Sequence, residues 1–168
     1  MNANELMGLN VVDSEHGTTV GTIKGLLIDQ QEKRVSALEV SERFLSRSRF
    51  VPFESIKSIE HDVLMIPSAQ NLVARQDLGS TGLITHLTGR HVFTEDGKDL
   101  GTVRSYVVDS KTGDITSITF AVDKTAFHGL WKSAGDSYDL PSRFIITLGE
   151  HVIVDKSVPD IIRMRHAA

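Results

Sequence analysis

Short apolar runs separated by polar turns fill this chain, and the same order of runs occurs twice. Residues 6–12 (LMGLNVV) are answered by residues 87–93 (LTGRHVF), and residues 20–29 (VGTIKGLLID) by residues 100–109 (LGTVRSYVVD). In each half, a proline and a further apolar run follow. An internal repeat of this kind predicts two copies of one structural unit.

The runs have the length and alternation of strands rather than of helices. Residues 115–122 alternate strictly between two faces, and short β-branched or aromatic runs end at turn residues throughout the chain. Pro52 and Pro141 are each expected to begin a single helical turn, followed by a last strand at 63–66 and at 152–154. The pattern predicts an all-β fold of two tandem small β-barrels, each with about five to six strands and short helical turns.

Glycines and aspartates recur at matching places in the two halves. Gly21 and Gly101 each interrupt a predicted strand, which indicates a β-bulge or a tight bend of a barrel. Asp29 and Asp109 each open a polar turn, where a carboxylate can accept hydrogen bonds from the backbone two residues on. These shared residues are interpreted as turn formers rather than as catalytic groups.

The repeat also sets the expected domain boundaries. The second copy carries about nine extra residues between its third and fourth strands, within the stretch 124–138; this count follows from the offset of the two prolines compared with that of Asp29 and Asp109. The stretch between the copies holds several apolar residues and is expected to pack onto them, and the end of the chain could form one or two helical turns. The predicted divisions are 1–68 for the first barrel, 69–86 for a connector, 87–158 for the second barrel and 159–168 for a C-terminal tail.

Composition excludes several classes of protein. The 168 residues include no cysteine, which rules out disulfides, thiolate nucleophiles and cysteine-based metal sites. The formal net charge of −4 lacks the basic excess of a dedicated nucleic-acid binder. No apolar run approaches the ~20 residues of a membrane-spanning helix, and the first residues lack a signal-peptide pattern. We therefore expect a cytoplasmic protein with no transmembrane segment.

The order of glycines, aspartates, prolines and apolar runs resembles the PRC-barrel family, over residues 6–66 and again over 87–154. The resemblance implies a small β-barrel that acts mainly as a protein-interaction module. One member sits at the cytoplasmic face of the photosynthetic reaction centre, and a similar domain in a ribosome-maturation factor contacts ribosomal protein. The family offers no general catalytic residues to transfer. A non-enzymatic adaptor is therefore expected.

The insertion in the second copy is the first candidate binding segment. It concentrates Phe127, Leu130 and the chain's single tryptophan, Trp131, in a predicted loop. Aromatic residues on loops are favoured as binding anchors. The alternative is that Trp131 caps its own barrel or packs on the other copy. The matching place in the first copy holds Phe44 and Leu45, so both barrels are expected to present an apolar loop.

A basic cluster beside that first loop is the second candidate. Arg43, Arg47 and Arg49 could contact RNA phosphates or an acidic protein patch. The alternative is a solvated hairpin loop.

No catalytic, cofactor-binding or metal-binding residues are predicted, and no cofactor is expected. None of the seven histidines stands at the local spacing of a known ligand pair; they are His16, His61, His86, His91, His128, His151 and His166. The expected partner is a protein of unknown identity, with a homodimer as an option. An RNA- or ribosome-associated assembly factor is the first alternative, and a small-ligand or metal sensor the second. Peripheral association with a membrane complex also stays open.

Overall fold

The computed structural model describes residues 1–42, 47–79, 82–123, 125 and 136–167. Within them, the first sheet consists of β1 (Asn10–Asp13), β2 (Thr18–Asp29), β3 (Arg34–Glu42), β4 (Arg49–Pro52), β5 (Ser58–Glu60), β6 (Val63–Ile66) and β7 (Leu83–Ile84). The second sheet consists of β8 (His91–Thr94), β9 (Asp99–Val108), β10 (Ile115–Val122), β11 (Ser137–Pro141), β12 (Ile145–Leu148) and β13 (Val152–Val154). Helix α1 (Ala3–Leu6) precedes the first sheet, and α2 (Val158–Ala167) follows the second.

The two sheets have the same strand order. The first runs β4-β3-β2-β1-β6-β5, with β7 paired to β2, and the second runs β11-β10-β9-β8-β13-β12. In both, the first strand of the copy pairs in parallel with the second strand of its closing hairpin (β1 with β6, β8 with β13), and it pairs in antiparallel fashion with the long strand that follows it (β1 with β2, β8 with β9). The all-β fold of two barrel-like copies is therefore confirmed.

Several local predictions are confirmed as well. A 3₁₀ turn follows each proline, at Phe53–Ser55 and at Ser142–Phe144, and the last predicted strands coincide with β6 and β13. The sequence interpretation missed α1, β5, β7 and β12. It also extended the insertion to Tyr138, which was wrong, because Tyr138 is a buried residue of β11.

One face of each sheet forms a separate apolar core. Alternation places every second residue of a strand on that face, where burial of a leucine or isoleucine is worth roughly 1.5–3 kcal/mol. The fully buried side chains of the first core include Leu6, Val11, Ile28, Leu38, Leu64 and Ile66. Those of the second include Val92, Leu100, Ile118, Phe120, Leu140 and Val152.

Contact density divides the chain into two compact units. One comprises Met1–His86 with Val108–Asp114, and the other comprises Leu87–Val107 with Ile115–Ala168. Within the first unit, Val73, Leu78 and Leu83 pack against a small cluster on the sheet formed by Leu27, Ala37 and Phe50. Within the second, α2 buries Val158 and Ile162, and it is longer than the one or two turns expected from the sequence.

Gly21 and Gly101 mark the bulges that the sequence predicts. The register of β1 with β2 shifts just after Val11, which faces Gly21, and the register of β8 with β9 shifts just after Val92, which faces Gly101. A Cβ at Gly21 would overlap the carbonyl oxygen of Ser41 on β3. Gly101 has φ +138°, and a Cβ there would overlap a backbone carbonyl of β10. Each bulge thus depends on a close backbone approach that only glycine permits.

We predict that Gly101→Ala lowers the free energy of unfolding of the second unit by at least about 3 kcal/mol. The new Cβ would overlap the β10 carbonyl, and this cost adds to the backbone strain of the positive φ at this position. Gly89→Ala is the matched control, since Gly89 also has positive φ but has no atom within 4 Å of its Cβ position. Strain alone should cost about 1–2 kcal/mol there. Urea unfolding followed by circular dichroism measures both, and equal losses would contradict the close-approach argument.

Candidate interaction surfaces

The two sequence-predicted binding segments are the same strand connection in the two copies. One joins β3, which ends at Glu42, to β4, and the other joins β10, which ends at Val122, to β11. The candidates Arg43, Phe44 and Leu45 in the first, and Phe127, Leu130 and Trp131 in the second, lie outside the described residues. Their binding role stays a prediction.

The remaining two arginines of the basic cluster have different surroundings. Arg47 is exposed. Arg49 donates from Nη2 to the carbonyl oxygen of Leu72 at 2.6 Å, and its Nη1 lies 3.6 Å from Oε1 of Glu42. Arg49 therefore ties the stretch after β6 to the first sheet, which is a structural task independent of any partner.

A cluster of three aromatic rings lies on the outer face of the second sheet, and the sequence reasoning did not find it. The ring centroids of His91 and Phe93 are 5.7 Å apart and nearly parallel, and those of Phe93 and His151 are 5.0 Å apart at 88°. The centroids of His91 and His151 are 6.2 Å apart. His91 and His151 are exposed, and Phe93 is half-buried. We call these three residues the ring cluster.

Strand pairing assembles the ring cluster. His91 and Phe93 alternate onto one face of β8, and the parallel register of β8 with β13 places His151 beside His91. The sequence contained one signal of this cluster, the rings of His91 and Phe93 two residues apart. The third ring, at residue 151, lies too far along the chain to be connected with them by spacing. The matching positions of the first copy hold Asn10, Val12 and Val63, so the cluster is a difference between the copies.

An acidic cleft of about 280 Å³ adjoins the ring cluster at His91. His91 Nδ1 lies 3.0 Å from Oδ2 of Asp99 on one side of the cleft. Asp123, on the other side, accepts hydrogen bonds from the side chain and backbone N–H of Thr125, and these lower the pKa of its carboxyl. Asp123 directly follows β10, so the cleft links the ring cluster to the base of the inserted segment. Its lining residues are His91, Asp99, Gly101, Thr102, Ala121, Val122 and Asp123.

The match to known families covers both copies. The family described as PRC-barrel domain matches residues 1–72 and 82–161. The chain belongs to the PRC-barrel domain family. A comparison with curated proteins found no match. Within the described parts of this PRC-barrel protein, no helix combines the length and apolar character needed to cross a membrane.

The aspartates shared by the two PRC-barrel copies act as the sequence predicts. Oδ1 of Asp29 accepts from the backbone N–H groups of Gln31 and Glu32 at 2.9 Å each. Oδ1 of Asp109 accepts from the two matching N–H groups of its own turn at 2.8 and 3.0 Å. Both carboxylates therefore stabilise hairpin turns.

In the first PRC-barrel copy, a group of possible metal-ligand atoms is also part of a turn. The ligand atoms of Asp13, Glu15 and His16 lie within 4.8 Å of one another. However, the oxygens of Asp13 already accept hydrogen bonds from the backbone N–H groups of Ala69, Glu15 and His16, and Oδ2 lies 3.1 Å from His16 Nδ1. The arrangement joins the end of β1 to the residues that follow β6.

These hydrogen bonds shift two pKa values in opposite directions. The N–H of Ala69, followed by the side chain and N–H of His16, lowers the pKa of Asp13 from 3.8 to about 2. The hydrogen bond to Asp13, with the charges of Asp13 and Glu15, raises the pKa of His16 above 6.5. The ionised carboxylate is thus the form that the fold stabilises.

We predict that Asp13→Asn changes the acid dependence of stability. Because the folded pKa of Asp13 lies below its unfolded value, its contribution is complete above about pH 5 and is lost as the pH falls towards 2. The difference in urea midpoint between the wild type and the variant should therefore shrink over this range. A difference that stays constant down to pH 2 would contradict the assignment.

Proposed function

We propose that this PRC-barrel protein is a non-enzymatic adaptor that binds another protein through the ring-cluster side of its second copy. The observation that carries the proposal is the ring cluster itself. Three rings in mutual contact lie on the outer face of a sheet whose core is on the opposite face. Phe93 belongs to the residue class that is enriched at protein interfaces, and the two exposed histidine rings extend its aromatic surface away from that core.

The inserted segment supports the same surface. It leaves the sheet at Asp123, which also lines the acidic cleft beside His91. Phe127, Leu130 and Trp131 would then add apolar contacts to those of the ring cluster, as the sequence reasoning proposed. On this hypothesis, the rings form the fixed part of the binding surface and the insertion forms an added part.

Charge favours a basic segment on the partner. Asp99 and Asp123 line the cleft, and the lowered pKa of Asp123 keeps its carboxylate ionised at neutral pH. A lysine or arginine of the partner could enter the cleft and lie against the neighbouring rings, where a cation is attracted to an aromatic face. The RNA-associated alternative has less support, because Arg49 is engaged within the first unit.

We predict that Phe93→Ala weakens capture of the partner from native lysate by about five- to thirtyfold, because truncating an aromatic anchor costs about 1–2 kcal/mol of binding. The readout is quantitative mass spectrometry with the full chain as bait. Val12→Ala is the matched control, since Val12 is half-buried at the same position of the first copy. It should retain the partner.

Two further readouts complete this test. Trp131→Ala should also reduce capture if the insertion contributes, and sedimentation of the purified chain over a wide concentration range shows whether the partner is a second copy. A protein captured equally by wild type, Phe93→Ala and Trp131→Ala would contradict the proposal.

A further inference from the structure

β4 and β11 are the matching edge strands at one end of the two sheets, and they differ in how their outer edges are occupied. In the first unit, Phe50 of β4 donates its N–H to the carbonyl oxygen of Val73 at 2.9 Å and accepts from the N–H of Val73 at 2.8 Å. Arg49 adds its hydrogen bond to Leu72, which is 3% exposed. A short extended segment around residue 73 therefore covers this edge from within the chain.

The register of β10 with β11 shows which groups of β11 point outwards. Val122 donates its N–H to the carbonyl oxygen of Asp136 at 3.2 Å, which makes these two residues a hydrogen-bonded pair. Such pairs alternate along an antiparallel ladder, so Asp139, opposite Thr119, belongs to a non-hydrogen-bonded pair. Pro141 also belongs to a non-hydrogen-bonded pair in this phase. Its nitrogen has no hydrogen to donate, and at this position none is needed for pairing with β10. The N–H and C=O groups of Ser137 and Asp139 consequently point away from the sheet.

This outer edge is open in the described part of the chain. β11 is one of the two edge strands of the second sheet, and no hydrogen bond from a described residue reaches the backbone of Asp139 on its outer side. Ser137 and Asp139 are both exposed. Asp139 is the repeat equivalent of Phe50, as the matching prolines Pro52 and Pro141 show. The second copy thus presents the same pair of backbone groups that Val73 occupies in the first.

The side chain of Asp139 restricts what can pair there. Its Oδ1 accepts a hydrogen bond from Thr119 Oγ1 at 2.5 Å, which holds the carboxylate on the outer face of the sheet. In a symmetric pairing of two β11 strands centred on this residue, the two Asp139 carboxylates would face each other, and like charges directly opposite are destabilising. A short strand with a central charge and a proline also resists indiscriminate edge pairing. A basic residue opposite Asp139 would instead form a favourable ion pair with its carboxylate.

We propose that the outer edge of β11 binds an extended segment of a partner protein that places a lysine or arginine opposite Asp139. The partner residue exchanges two backbone hydrogen bonds with Asp139, as Val73 does with Phe50, and its side chain pairs with the carboxylate. The residue before it takes the place that the buried Leu72 takes in the first unit, so an apolar residue is expected there. This inference rests on the proposed adaptor function and names a second point of contact with the partner.

The test uses the chain's own covering segment as a template. The probe is a synthetic peptide of residues 69–76 with the change Val73→Lys, the lysine peptide. The matched control, the glutamate peptide, has the same sequence with Val73→Glu. Each is added at millimolar concentration to the ¹⁵N-labelled full chain. The lysine peptide should shift the amide resonances of residues 137–140 and slow hydrogen exchange of the Asp139 amide at least about tenfold. The glutamate peptide should do neither, and the Phe50 amide should be unaffected by both.

Reversal of the charge gives the decisive comparison. Asp139→Lys should lose the response to the lysine peptide and gain one to the glutamate peptide. Equal responses to both peptides, or none to either, would overturn the proposal. So would an Asp139 amide that is as protected as the Phe50 amide in the free chain, because the edge would then already be covered.

The two proposals fail separately. A partner that is lost with Phe93→Ala but retained with Asp139→Lys would leave the adaptor function standing and remove the edge from it. A peptide response that follows the charge of residue 139, with no partner lost by Phe93→Ala, would support peptide binding at the β11 edge and contradict the ring cluster as the partner-binding surface.

Discussion

The parallel pairing of the first strand of a copy with the last strand of its closing hairpin is the constraint on which each copy depends. It joins β1 to β6 and β8 to β13, so residues from the two ends of a copy become neighbours. The first strand must also pair with the long second strand, which bends at Gly21 or Gly101 where backbones approach closely. The ring cluster is a product of this pairing, because His151 reaches the rings of β8 only through the β8–β13 register.

Local chemistry explains how much of this could be predicted from the sequence. The turn aspartates and the prolines before the 3₁₀ turns act within a few residues of themselves, and the bulge glycines were marked because they interrupt predicted strands; each was placed correctly. β5 is only three residues long and β12 does not alternate in burial, so no periodic signal marked them. The ring cluster and the β11 edge depend on register: one needs the partner of His91 on another strand, and the other needs the hydrogen-bonding phase of Asp139. Neither property is encoded by spacing along the chain.

The two copies have similar apolar cores but differ on the outer faces of their sheets. In the first, Leu27, Ala37 and Phe50 form an apolar patch that the stretch after β6 covers. The matching positions of the second hold Val107, Ser117 and Asp139, which need no such cover and leave the neighbouring edge open in the described residues. One copy thus uses its outer face for the chain's own connector, and the other keeps charged and aromatic groups exposed. This difference between the copies supports the proposal that a partner binds to the second copy.

The most direct test exchanges the ring cluster for its counterparts in the first copy. A triple variant with His91→Asn, Phe93→Val and His151→Val keeps strand-compatible residues at all three positions. The measurement is the dissociation constant of the captured partner by titration calorimetry, with the melting temperature as a check of folding. The account predicts at least about a hundredfold weaker binding, or about 2.7 kcal/mol, at an unchanged melting temperature. An unchanged dissociation constant in a folded variant would contradict it.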